Sequence, residues 1–160
     1  MLQKRLIPPY CIDSSSLIDL DRWYPKNKVI FLPIWKQIEK FVASDKIIAP
    51  IEVQREIQNG NNKLIVWCQQ NRKIFINVDN AQVSNLQKVK TKYNLDYWNT
   101  QTNGLTAWAD PWIISLSICM NAIIVTNESK TKANRIPVIA QNFGIRCLNL
   151  LEFFGDIGIK

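Results

Sequence analysis

Tyr10-Cys11-Ile12-Asp13-Ser14-Ser15-Ser16-Leu17-Ile18 is the stretch on which the fold turns. An apolar run ends on one acid, three hydroxyl residues follow, and apolar residues resume. Residues 6–12 read as a short buried strand, and the serines as the start of a helix over 17–23 that Pro25 stops. A strand that ends in the same way lies far along the chain. Ile123 to Thr126 is β-branched and too short for a helix between Asn121 and Asn127, and Glu128 follows it.

Between and beyond these two points strands and helices alternate. Ile34, Trp35, Ile38, Phe41 and Val42 recur at helical spacing over 32–41, with Pro33 in the first turn. Residues 46–49 predict a strand, and Pro50 opens a helix that carries Ile51, Val53 and Ile57 and stops at Gly60. Residues 64–70 continue helically, Phe75-Ile76 is brief and ambiguous, and Asp79 caps a helix over 79–93. Residues 94–107 are polar and hold no Lys or Arg, which reads as a long mobile loop. Asp110-Pro111 leads into a strong helix over 108–120; residues 136–143 are helical up to Gly144, Cys147-Leu148 is a last strand, and 150–157 a last helix. The alternation predicts one α/β domain over residues 1–160, three layers with a central, mostly parallel sheet of short strands flanked by helices.

Composition narrows the function. A chain of 160 residues fits one domain and buries about 70% of its unfolded surface. The formal net charge of +7 and a pI near 9.3 favour an anionic partner, of which nucleic acid is the commonest; the alternative is a merely soluble basic protein. The chain has no His, which removes His-based acid–base catalysis, serine and cysteine triads and most zinc sites. Carboxylate–metal chemistry is untouched. Cys11, Cys68, Cys119 and Cys147 form no CxxC pair and read as free thiols of a cytoplasmic protein, with disulfides as the alternative. No signal peptide is evident, and no run of about 18 apolar residues predicts a membrane span.

Acids are scarce, 13 against 20 Lys and Arg, yet Asp13, Glu56, Asp110 and Glu128 all stand at the edges of the most apolar segments. Sites in parallel sheets form beyond the carboxyl ends of the strands, so Asp13 and Glu128 fall on one edge. Asp110 starts the helix that leads into the second of those strands. Glu56 lies about two helical turns beyond the strand at 46–49 and can reach the same rim. Such a carboxylate cluster would hold a hard divalent cation. Each acid also has a bland explanation. Asp13 could be a helix N-cap, although the serines could cap equally well without a charge. Asp110 precedes a proline and fits an N-cap with Pro at the first helical position. Glu56 could be a solvated helix face, with Glu52 one turn earlier competing for its role. Glu128 could be ordinary loop charge.

The ordered set resembles a known family. Residues 10–18 resemble the opening strand–Asp–Ser/Thr signature of PIN domains. Ile51-Glu52-Val53-Gln54-Arg55-Glu56-Ile57 resembles their second motif, Ala109-Asp110-Pro111-Trp112-Ile113-Ile114 their third, and Ile124-Val125-Thr126-Asn127-Glu128 their fourth, usually read as Thr-Asn-Asp. The tail from Ile136-Pro137 to Leu150-Leu151-Glu152 is similar to the DUF4411 branch of that superfamily. The resemblance implies a PIN-like fold and an Mg²⁺- or Mn²⁺-dependent ribonuclease, the VapC-like toxin of a toxin–antitoxin pair, with a cognate antitoxin protein as partner and a homodimer as its assembly. It implies Asp13, Glu56 and Asp110 as core ligands, with Glu128 where the family often has Asp. Ser14 and Thr126 become hydrogen-bonding supports, and Asn127 a substrate contact.

RNA would be guided by Lys130, Lys132 and Arg135, just after Glu128. Lys88, Lys90 and Lys92 spread around a helix and read better as a solvated face. Tyr97, Trp98 and Trp108 bracket the polar segment, and Trp98 is the residue expected to stack on bases. Most of the six Trp read as core or interface anchors. Two other classes stay open: a catalytically inactive PIN-like module that binds RNA or protein, supported by Glu128 in place of Asp, and a phosphoryl-transfer enzyme that also opens strand–Asp. The latter expects a second Asp two residues after the first, or an acidic pair at the start, where this chain has Asp13-Ser14-Ser15.

Overall fold

A computed structural model of the chain describes residues 7–60 and 62–159. The first strand, β1 (Tyr10–Ile12), is buried along its whole length, as a strand covered on both faces must be. Asp13 follows with extended backbone and caps α1 (Ser14–Trp23). A short 3-10 turn at Val29–Phe31 precedes α2 (Leu32–Ala43), which has Pro33 in its first turn and buries Ile34, Trp35, Ile38 and Val42. Then come β2 (Ile47–Pro50), α3 (Ile51–Ile57), α4 (Asn62–Gln70), β3 (Phe75–Ile76) and α5 (Asn80–Lys90). The remaining elements are α6 (Leu95–Thr102), α7 (Asp110–Met120), β4 (Ile123–Val125), α8 (Ile136–Gln141), β5 (Cys147–Leu148) and α9 (Leu150–Asp156).

The five strands form one parallel sheet in the order β3-β2-β1-β4-β5. On one side of β1, Tyr10 and Cys11 stand opposite Ile47 and Ile48. On the other, Tyr10, Cys11 and Ile12 stand opposite Ile123, Ile124 and Val125. The chain therefore winds outward from β1 through β2 and β3, then returns to the other side of β1 for β4 and β5. A reversal of this kind leaves a crevice beyond the carboxyl ends of the two strands that flank it. Here those strands are β1 and β4, whose ends lead directly to Asp13 and Thr126.

The central helix is α7, which lies against β1, β2 and β4 while α5 packs on its outer side. Ile113, Ile114, Leu116, Ser115 and Ser117 are all buried. The two serines satisfy their hydroxyls inside the helix, on the carbonyls of Pro111 and Ile113 at 2.8 and 2.7 Å. A helix apolar on every side needs such cover. It ends at Asn121 in the left-handed conformation, φ 50°. The four cysteines are free thiols. No helix among the described residues is long and apolar enough to cross a membrane.

Three expectations change. The polar segment 94–107 is not a loop throughout: Asn94 caps α6 by accepting from the Tyr97 N–H at 3.1 Å, and Trp98 anchors that helix in the core. Its polar residues are simply the exposed side of a short helix. The first strand begins at Tyr10 rather than near residue 6, which lies outside the described residues. Asp110 is the first residue of α7 rather than its cap, which is Ala109.

Ile113 is fully buried between α7 and the sheet, so Ile113→Ala should cost about 2–5 kcal/mol. Lys88→Ala on the exposed side of α5 should stay within about 0.5 kcal/mol. Urea denaturation followed by circular dichroism would show a large fall in midpoint for the first variant and almost none for the second.

Candidate functional site

Asp13 stands where β1 ends, and its carboxylate is almost wholly buried. It is held from three directions. Thr126, at the end of β4, donates its hydroxyl to Oδ2 at 2.6 Å. The Ser16 N–H donates to Oδ1 at 2.7 Å, and the Ser15 hydroxyl lies 2.9 Å from both oxygens. The acid is thus both the cap of α1 and a cross-link between β1 and β4. Burial pushes its pKa up, and the hydrogen bonds from Thr126, Ser16 and Ser15 pull it back.

Glu56 reaches the same place from α3. One oxygen accepts from the Ser14 hydroxyl and the other from the Ala109 N–H. Glu52, one turn earlier, lies elsewhere. Glu52 pairs with Arg55 at 2.5 Å and lines a different hollow beside Leu86 and Trp98. Asp110 opens α7 directly after Ala109. Burial raises its pKa to about 8, with Glu128, Asp13 and Glu56 adding repulsion and the Trp108 indole N–H opposing them. Glu128 is also raised by burial; the Ile136 N–H, which donates to Oε2 at 2.8 Å, pulls it down, as does a hydrogen bond with Asp110. Asp110 and Glu128 thus form a hydrogen-bonded acidic pair, both held above the usual carboxylate range.

The four acids come from four separate elements and meet at one edge of the sheet, at the β1/β4 crevice. Asp13 raises the pKa of Glu56, Asp110 and Glu128, and Glu56 and Glu128 raise that of Asp110. Among the described residues no group of three or more His, Cys, Asp or Glu converges on a ready ligand geometry; Asp13, Glu56 and Glu128 each point an oxygen at a protein donor. The donor set nevertheless fits a hard cation: it is all carboxylate oxygen, largely buried, and mutually repulsive. An orphaned donor stands beside it. The buried Tyr93 hydroxyl has no partner and lies within electrostatic reach of Asp110 and Glu128.

The other expected site residues separate into two groups. Ser14 and Thr126 touch the acids directly, and Thr126 also accepts from the Glu128 N–H at 3.2 Å. Arg135 is exposed at the edge of an open cleft of about 360 Å³ whose wall includes Glu56, Asp110, Tyr97 and Trp108. Lys132 is exposed as well. Asn127 does not point at the site: its amide donates to Asp19 at 2.9 Å, and its oxygen accepts from the Leu150 N–H at 3.0 Å, which ties β4 to the start of α9. Lys130 is paired with Glu152 at 2.5 Å. Trp98 must be corrected. It is 8% exposed, wedged against Tyr93 and Trp108 at 5.4 and 5.2 Å, with the Lys90 ammonium 5.6 Å from its ring centroid. Protein contacts take up the ring that was expected to stack on bases. Tyr93 and the Ala109 N–H went unread in the sequence, because neither a buried hydroxyl nor a backbone donor leaves a signature there.

The crystal structure of PAE2754 from Pyrobaculum aerophilum superposes with a TM-score of 0.52 over 96% of this chain and 98% of its own, at 12% sequence identity. At that identity the likeness is one of fold. The sequence matches no curated protein. Residues 10–160 match the family model described as a domain of unknown function, DUF4411, and all four acids and every strand and helix among the described residues lie within that span. The chain belongs to the DUF4411 family.

Proposed function

We propose that the chain is a metal-dependent endoribonuclease of PIN-domain type that hydrolyses RNA phosphodiesters. One observation carries the proposal: Asp13, Glu56, Asp110 and Glu128 come from four elements and share a single crevice at the carboxyl edge of a parallel sheet. Asp13, Glu56 and Asp110 would hold Mg²⁺ or Mn²⁺, with Glu128 beside them. When bound, the ion supplies positive charge that neutralises the acids, screens a phosphate and lowers the pKa of water. The protein's own part is positional. Thr126, Ser15 and the Ser16 N–H fix the Asp13 carboxylate, and the Ser14 hydroxyl fixes Glu56. Arg135 brings a cation to the cleft where an RNA phosphate would lie. No side-chain nucleophile is needed, which suits a chain without His.

The resemblance of the four motifs to VapC-like toxins extends the proposal to a cytoplasmic toxin held by a cognate antitoxin protein and assembled as a homodimer. The inactive-module alternative keeps one observation. Glu128 spends an oxygen on the Ile136 N–H at the start of α8, a structural task that would persist without catalysis.

Purified protein should degrade total RNA only with Mg²⁺ or Mn²⁺, leaving 5′-phosphate and 3′-hydroxyl ends. A 2′,3′-cyclic phosphate product would rule out a metal-activated water. Asp13→Asn combined with Asp110→Asn should abolish cleavage, and activity that survives both would refute the assignment. Glu128→Gln, which keeps an acceptor for Ile136, should lower activity by about 10–100-fold; an unchanged rate would assign Glu128 to structure alone.

The pH dependence has a definite sign. Asp110 has a folded pKa of about 8, against about 3.9 in an unfolded chain. The folded state therefore binds the extra proton between those values, and metal-free stability falls as pH rises from about 4 to 8. Bound cation requires the ionised acids, so affinity for Mn²⁺ should rise over the upper part of that range. Thermal melts with and without Mn²⁺ should diverge increasingly toward pH 8. Asp110→Asn should raise the metal-free Tm at pH 8, by about 2–4 °C for each kcal/mol relieved. A metal-free Tm that climbs with pH would contradict the buried acid cluster.

A further inference from the structure

Beside the acids, the cleft carries groups that phosphodiester hydrolysis does not use. Tyr97 and Trp108 form an aromatic wall, with ring centroids 6.0 Å apart and planes inclined by 69°. Tyr97 is held from behind, where the Tyr93 ring lies parallel to it at 6.2 Å, tilted by only 4°. Tyr93 is itself buried against Trp98 and Trp108. A partly exposed ring backed by buried rings loses little freedom when something flat lies on it. Gln101 and Thr106 add hydrogen-bonding side chains to the same cleft. Leu105, next to Thr106 in sequence, is wholly exposed. Arg135 lowers the pKa of both Tyr97 and Glu128, so its guanidinium lies within reach of the aromatic wall and of the acids alike. The volume, about 360 Å³, falls in the range of small-ligand sites.

We propose that this cleft is a base-recognition subsite: Tyr97 and Trp108 receive one unpaired nucleobase of single-stranded RNA, Gln101 and Thr106 read its edge, and Arg135 holds the adjoining phosphate toward Glu56 and Asp110. The proposal rests on the nuclease reading and adds to it which nucleotide is recognised and by what. A base in a duplex has both faces stacked on its neighbours, so only an unpaired or extruded base can meet the wall. The guanidinium fork matches a phosphate in two hydrogen bonds. Together these groups place a base and its phosphate so that the phosphate nearest the acids is the one flanking the recognised base.

The test uses the full chain and short single-stranded oligoribonucleotides, each also made with one abasic position flanking the mapped cut. With the wild-type protein, the abasic RNA should show KM raised by about tenfold, the lower end of the loss expected for one stacked base. Tyr97→Ala should raise KM for intact RNA by a similar factor, with a smaller effect on kcat, and should flatten the base preference next to the cut. Tyr97→Phe keeps the ring and should restore both. Gln101→Ala should alter which base is preferred without weakening binding as much. Equal KM for abasic and intact RNA would overturn the subsite even if Tyr97→Ala failed to fold, and so would an unaltered preference in a folded Tyr97→Ala. If the wild type cuts no RNA, the nuclease reading fails. Tryptophan fluorescence quenching by short single-stranded RNA, intact or with an abasic position moved along it, then decides the subsite on its own: quenching that weakens at an abasic position upholds it, and quenching that is absent or indifferent to the abasic position removes it.

Discussion

The hydrogen bond from the Thr126 hydroxyl to the Asp13 carboxylate, 2.6 Å long and fully buried, joins the ends of the two strands on either side of the sheet's reversal. A buried carboxylate is tolerated only when its oxygens are satisfied. Asp13 meets that condition with donors from its own helix start and from β4. The same contacts cap α1, align the end of β1 with the end of β4, and aim a negative charge into the crevice. Ser16 reinforces the junction by donating its hydroxyl to the Val125 carbonyl at 3.2 Å. Glu56 then ties α3 to both α1 and the start of α7. The acids are therefore part of what joins the elements, and the site is built into the architecture it sits on.

That double duty explains why local sequence reading went so far and no further. Short apolar strands set between helices carry the parallel α/β arrangement in their composition, and the acids stand at the strand ends where the topology opens its crevice. The reversal between β1 and β4 is tertiary, but it follows once Asp13 and Glu128 are seen to close two equivalent strands. The choice between Glu52 and Glu56 was not legible. One helical turn separates them, and only the positions of Ser14 and the Ala109 N–H, both distant in sequence, decide which points inward. The helix over Leu95–Thr102 was hidden for a different reason. Its polar residues match a loop, and the cap at Asn94 together with the buried Trp98 outweighs them only once the core is assembled.

The aromatic residues teach the complementary lesson. Tyr93, Tyr97, Trp98 and Trp108 form one cluster with neighbouring centroids 5.2–6.2 Å apart, and composition gives them equal standing. Burial separates them: Trp98 and Tyr93 are core, whereas Tyr97 and Trp108 keep surface beside the acids. The basic residues divide in the same way. Lys130 is neutralised by Glu152, while Arg135 stays at the cleft and bears on Glu128. A chain with a net charge of +7 thus gathers negative charge at one point and sets a cation at its edge.

The bond between Thr126 and Asp13 spans 113 residues of chain. A ribosome releases Asp13 long before Thr126, its partner just past β4, has been made. Pairing so remote in sequence forms after the local helices. During synthesis Asp13, Glu56 and Asp110 all precede β4 in the nascent chain, and the β1/β4 crevice does not exist until β4 has been threaded into place.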